Sequence, residues 1–286
     1  MKNIFYAFIF ISLLFSCKSD IKQKAQDTIK TKSVNGQSET LIKKFKPILQ
    51  GAWVNTEFID AIEETKSPVL AYTKAANITT MLIDTKGIKG DTAIIDVGYG
   101  NHEGGRLTLK FQPGRISTSI LAYTSGGNVN EGAYELKYSV NKRDTTLTLY
   151  TFDKKRKQTD SARYFRVFSN FQGHELGYAT YYMVNKILAS GTYLLTDTLN
   201  NILKVNLTNE GNISGLMNFK TYNINIDFTT PPNNLNEITF DYYGKSSQSY
   251  SFRIDADTLN LYQTSFTKDS VKLILGKRIY KLVKQK

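Results

Sequence analysis

Through most of the chain apolar and polar residues alternate with a period of two. Arg106-Leu107-Thr108-Leu109-Lys110-Phe111 shows it, as do Tyr134-Glu135-Leu136-Lys137-Tyr138 and Asn223-Ile224-Asn225-Ile226-Asp227-Phe228. This period sends alternate side chains to opposite faces of a strand. Gly87, Gly90, Gly104-Gly105, Gly126-Gly127, Pro231-Pro232 and Gly244 punctuate the alternation at hairpin spacing. Many short strands with one apolar face predict an all-β, up-and-down antiparallel barrel, because closure removes exposed sheet edges. Two stretches break the period. Glu57 to Glu64 sets Phe58, Ile59, Ala61 and Ile62 on one side of a short helix, stopped soon after by Pro68. A second helix is predicted over about 174–188, where Leu176, Tyr178, Tyr181, Tyr182, Val184 and Ile187 recur with untidy spacing.

The pattern divides into two halves with matching landmarks. Gly51-Ala52-Trp53-Val54 opens one and Gly191-Thr192-Tyr193-Leu194 the other. Thr145 to Tyr150 is echoed by Asp257 to Tyr262, and Arg163 to Phe168 by Arg278 to Val283. Three words in one order predict two tandem barrels, over 47–170 and over 189–286, with 171–188 as a linker.

The N-terminal region reads differently. Lys2 precedes an apolar run from Ile4 to Phe15, too short to span a bilayer, followed by Ser16-Cys17. A small residue before the sole cysteine resembles the bacterial lipobox, which implies a signal peptide over 1–16 and a diacylated Cys17. The resemblance implies membrane attachment, with palmitate among the acyl chains. Lys18 in place of an aspartate after the cysteine favours the outer membrane over inner-membrane retention. Residues 17–46 are rich in Lys, Gln, Ser and Thr and predict a flexible tether, within which 38–45 has the makings of a short helix.

Composition narrows the partners. The net charge of +12 would suggest nucleic acid in a cytoplasmic protein. Export argues against that partner, and the basic residues are scattered apart from Lys43-Lys44-Lys46 and Lys154-Lys155-Arg156-Lys157. They read as a solvated surface near anionic lipid or acidic glycans. With Cys17 acylated no thiol is left for a disulfide, so burial must hold the fold.

A Gly-x-Trp opening strand, a short helix just after it, repeated hairpins and a closing Tyr-Lys-Leu-Val strand together resemble the lipocalin-like, or calycin, barrels of bacterial envelope lipoproteins. The resemblance implies a small apolar or lipid-like ligand in the first barrel, with Leu109, Phe111, Tyr99 and His102 as its candidate contacts. It also implies that Trp53 packs across the barrel floor. The second half has Tyr193 where the word wants Trp and is shorter, so its barrel is expected to be filled by side chains.

Candidate chemistry is sparse. His102 and His174 are the only histidines, neither with a second His at metal-ligand spacing, and no metal or cofactor is expected. Catalysis would need Asp96, His102 and Glu103 to gather at a barrel mouth. No nucleophile elbow or phosphate-cradling glycine motif occurs, so the function leans to non-enzymatic. The alternative to a ligand carrier is a filled-barrel lipoprotein that docks an envelope protein or glycan. Glu57 and Asp60 share one helix face, as a rim or simply as favourable acids near a helix N-terminus. Asp-Ser/Thr pairs recur, with hydroxyls at Thr28, Thr92, Thr145, Ser161, Thr198, Thr258 and Ser270. Each suits a turn followed by a strand. The pairs also resemble an O-glycosylation signal of exported proteins in some Gram-negative groups. Asn77, Asn206 and Asn212 begin Asn-x-Ser/Thr triplets that read as loops.

Overall fold

The computed structural model describes residues 36–124, 134–141, 144–170, 175–196, 202–230 and 232–285. The leader, Cys17, Thr28, Gly126-Gly127, His174, Thr198 and Pro231 lie outside the described residues.

A helix α1 (Gly36–Leu49) leads into eight strands: β1 (Gly51–Asn55), β2 (Ile78–Ile83), β3 (Thr92–Tyr99), β4 (Glu103–Pro113), β5 (Ser119–Thr124), β6 (Tyr134–Asn141), β7 (Asp144–Phe152) and β8 (Gln158–Phe168). Each pairs antiparallel with the next and β8 returns to β1, closing the barrel. Between β1 and β2 lie α2 (Thr56–Thr65) and the single turn α3 (Pro68–Ala71). Asn55 caps α2 by accepting from the Phe58 N–H, and Lys66, in the left-handed region, ends it. Pro68 therefore does not stop that helix; it sits in the first turn of the next, where its missing N–H costs nothing.

The second half begins with α4 (Tyr178–Leu188) and continues as β9 (Gly191–Thr196), β10 (Ile202–Leu207), β11 (Ile213–Ser214), β12 (Tyr222–Ile224), β13 (Glu237–Phe240), β14 (Gln248–Asp255), β15 (Thr258–Phe266) and β16 (Leu273–Lys284). They form an eight-stranded antiparallel sheet in the order 11-10-9-16-15-14-13-12. Its outer strands β11 and β12 are joined by an isolated bridge, Asn212 to Thr221, with the Ile213 N–H 2.9 Å from the Lys220 carbonyl.

The three sequence landmarks fall on the first, seventh and eighth strand of each half. The resemblance extends to side chains. Gly51 and Gly191 have φ of 137° and 147°. The Trp53 indole donates to the Leu49 carbonyl at 2.8 Å, and the Tyr193 hydroxyl to the Ala189 carbonyl at 2.7 Å, both four residues back. Arg166 lies 5.4 Å over the Trp53 ring and Lys284 6.0 Å over Tyr193. Strand pairing thus aligns Arg166 with Lys284, whereas the sequence words aligned it with Lys281.

The barrel interior is packed. Ala93, Ile95 and Val97 from β3 meet Leu107, Leu109 and Phe111 from β4, while Ile94 between them is exposed. Phe45 and Leu49 of α1 enter the same core, with Phe45 edge-on to Phe111 at 6.5 Å and to Tyr138 at 4.9 Å. Residues 36–46, expected in the tether, therefore belong to a helix that caps the barrel. Pro47 stands in its last turn, and Arg166 reaches the Ile48 and Gln50 carbonyls there, a cation where the helix dipole is negative.

Strands β1 and β2 depart from period two, being buried on every residue. Their outer faces are covered: Ala52, Val54 and Leu82 join Phe58 and Ile62 of α2, Val184 and Leu188 of α4, and the interior of the second sheet in one core. That sheet is filled by aromatics, with Phe219 stacked on Phe240 at 4.8 Å and Tyr250 edge-on to Phe240 at 5.9 Å. The helix between β1 and β2 is thus cement between the halves rather than a simple insertion. Ser67 and the Val69 N–H both donate to the Asn236 side chain across the junction.

Candidate functional site

The four residues expected to line a barrel ligand do not converge. Leu109 and Phe111 are fully buried inside the barrel. Tyr99 packs at the core edge against Gly105, and burial raises its phenol. His102 lies outside the barrel, at the tip of the β3–β4 hairpin. Gly100 and Asn101, at φ of 56° and 59°, make that turn, closed by the His102 N–H to the Tyr99 carbonyl at 2.9 Å. Left-handed conformation at both central residues matches the right-handed twist of the flanking strands. Nor do Asp96, His102 and Glu103 form a set: Asp96 pairs with Arg106 at 3.1 Å, while His102 pairs across the junction with Asp227 at 2.6 Å.

Two adjoining cavities lie at this junction, along α4. One of about 380 Å³ is walled by Thr79, Gly98, His102, Glu103, Thr180 and Ile226. A neighbouring one of about 340 Å³ is walled by Tyr178, Tyr182, Asn185, Glu210, Asn223 and Tyr243. They share Glu175, Gly177 and Tyr181, so they adjoin at the start of α4. Each falls within the range of about 300–1,000 Å³ typical of small-ligand sites. A cavity where core residues Ile78, Leu149 and Tyr164 meet Asn77, Thr151 and Asp160 measures only about 100 Å³.

Both halves build the cleft. On one side Asn101 donates to the Ile226 carbonyl at 3.3 Å and Thr80 shares a 2.6 Å hydrogen bond with Thr180 of α4. On the other, Asn209 donates to the Tyr182 hydroxyl at 3.0 Å and Asn185 to the Asn209 carbonyl at 3.1 Å. Among the described residues the Asn185 Oδ1 has no hydrogen-bond partner, although Asn185 is only 4% exposed. Such an orphan acceptor normally costs about 1–3 kcal/mol.

Electrostatics at the cleft are set by a few groups. The hydrogen bond and charge of Asp227 raise the His102 imidazole above its ordinary value. For Asp227 burial works upward, but hydrogen bonds from His102 and Thr229 outweigh it and hold the carboxyl below its ordinary value. Burial raises the Tyr178 and Tyr181 phenols, which stay neutral donors through the physiological range. Not one of the described residues lining either cavity is Lys or Arg, although the chain carries +12.

The sequence reading sets His102 among the contacts of a ligand in the first barrel, and the structure places it outside the barrel wall, on the cleft. The same reading makes the α4 tyrosines a bridging helix. Their untidy helical spacing was the available signal: Tyr178, Tyr181 and Tyr182 all face the cleft, and Tyr181 packs on the core as well. Glu57, offered as a rim or solubility acid, accepts from Arg163 of β8 at 2.9 Å and from Asn55, tying α2 to the barrel. Of the Asp-Ser/Thr pairs, Thr92 and Thr258 begin strands and Thr145 is second in its strand, as the turn reading requires. Ser161 instead lies inside β8, exposed, and Ser270 is exposed beyond β15.

No protein-family model and no curated protein matches the chain.

Proposed function

We propose that this is a non-enzymatic envelope lipoprotein, anchored through Cys17, in which two tandem lipocalin-like barrels serve as a scaffold and the cleft along α4 docks an envelope protein or glycan. The observation that carries this reading is the filled first barrel. Phe45 and Leu49 of α1 occupy the space a carrier would leave open, with Trp53, Leu109 and Phe111 wholly buried against them. The cavity of about 100 Å³ beside Ile78, Leu149 and Tyr164 is smaller than a lipid-like guest needs. This favours docking over the apolar-carrier reading. The second half supports the tandem arrangement through its matching Gly, aromatic and basic positions, and through the Asn212–Thr221 bridge between its outer strands. The lipid anchor rests on Ser16-Cys17 and the apolar run before them, and the outer membrane on Lys18.

The test is photo-crosslinking in intact cells from position 243 at the cleft rim, compared with position 266 on an exposed strand end outside it. A discrete adduct from 243, absent from 266 and absent when Cys17→Ser blocks anchoring, supports cleft docking at the membrane. A co-purifying apolar molecule that Leu109→Arg expels would instead restore the carrier reading.

A further inference from the structure

Resting on that docking reading, we infer that the cleft along α4 recognises a neutral oligosaccharide. The second cavity sets tyrosine rings against amides: Tyr178, Tyr181, Tyr182 and Tyr243 with Asn185 and Asn223. Flat aromatic faces offer a surface for the C–H faces of a sugar ring, and a Tyr adds a hydroxyl at its wet end. Side-chain amides present a donor and an acceptor side by side, matched to neighbouring hydroxyls that are each donor and acceptor. Tyr243 stands 98% exposed at the rim, edge-on to Tyr242 at 4.9 Å.

Two further observations narrow the ligand. The Asn185 Oδ1, on the wall of this cavity, is a buried acceptor without a partner among the described residues, so the site asks for a hydrogen-bond donor. Its fixed charges are acidic, Glu175 and Glu210, with Glu103 in the adjoining cavity. On a chain of +12, a described lining free of Lys and Arg is built against anionic ligands. Phosphate, lipid headgroups and acidic glycans, for which the overall charge seemed suited, are therefore disfavoured here. A neutral polyhydroxylated chain supplies donors to Asn185 and the glutamates and C–H faces to the tyrosines.

The experiment titrates the full-length chain with hexasaccharides of glucose, mannose, xylose and N-acetylglucosamine, and with a sulfated hexasaccharide, by saturation-transfer NMR and calorimetry. At least one neutral hexasaccharide is expected to bind more tightly than about 1 mM and the sulfated one not at all. Tyr243→Ala, at a position too exposed to affect folding, should weaken binding about threefold to tenfold, and Asn185→Leu about tenfold. Phe266→Ala, outside the lining, should leave it unchanged. Binding only of the sulfated probe, no binding by any neutral probe, or neutral binding indifferent to both cleft variants overturns the inference. If the neutral probes fail while position 243 still crosslinks a protein in cells, the sugar assignment falls and the docking reading stands. If both fail, both fall.

Discussion

The two halves solve the same sealing problem with different side chains. In the first, α1 ends at Leu49, whose carbonyl takes the Trp53 indole, and Arg166 covers the ring. In the second, α4 leads to Ala189, whose carbonyl takes the Tyr193 hydroxyl, and Lys284 covers that ring. The difference lies in what else each helix does. Phe45 and Leu49 of α1 pack into the core of the barrel they cap. α4 seals the second sheet and at the same time lies against β1, β2 and β8 of the first half. The lesson is that the position of donor, carbonyl and cation is the preserved feature, while ring identity is free. A helix asked to serve two surfaces gives up clean periodicity, and the cleft forms where its tyrosines are left between them.

The sharpest break of this comparison is truncation of the two rings. Trp53→Ala should cost about 3–5 kcal/mol in urea unfolding of the full chain, and Tyr193→Ala a similar or slightly smaller amount. A loss below about 1 kcal/mol for Tyr193→Ala would show that the second arrangement bears no comparable load. The glycines sharpen the comparison further. Both occupy positive φ, but a Cβ on Gly51 would strike the backbone carbonyl of Phe168, whereas one on Gly191 would strike the flexible end of Lys284. Gly51→Ala should fall at or above the top of the usual range of about 1–3 kcal/mol for backbone strain, and Gly191→Ala near its bottom. The reverse order in urea midpoints would refute this account of the two glycines.

The smallest effect is that of pH on the link between the halves. Raised by Asp227, His102 stabilises fully below its unfolded value of 6.5, and the contribution disappears as pH rises through the raised folded value. Asp227, held low, contributes above its unfolded 3.8 and loses that contribution as pH falls through its lowered value. The pair is therefore strongest between those limits. With the side chains 42% and 33% exposed, solvent screening keeps the effect small. The urea midpoint should be slightly higher near pH 5–6 than at pH 9, and His102→Gln should flatten that difference. An identical profile in the variant would remove the pair from the account.

Much of the fold was legible where one strand meets one environment. Leu107, Leu109 and Phe111 alternate because β4 has a core on one side and water on the other. The helix from Thr56 to Thr65 was found within a residue at each end because its apolar face and its flanks are local signals. The cleft was not legible. His102 and Asp227 are 125 positions apart, as are Asn101 and Ile226, so no local period encodes them. The plug at Phe45 was hidden in a lysine-rich run: Lys43, Lys44 and Lys46 keep to water while one phenyl ring and Leu49 turn inward. β1 and β2 look like ordinary strands in sequence, and only the presence of the second half explains why both of their faces are apolar.

That shared wall means the halves are not modular. A chain cut before α4 would present Ala52, Val54, Phe58, Ile62 and Leu82 to water as one contiguous oily face, large enough to invite association with its own copies. A chain begun at α4 would bare Val184 and Leu188 and lose the Thr80 hydroxyl that Thr180 meets. Neither fragment is a smaller version of the protein, so expression trials, domain swaps and recombination between relatives should succeed only when the breakpoint leaves α2, α4 and the outer faces of β1 and β2 together.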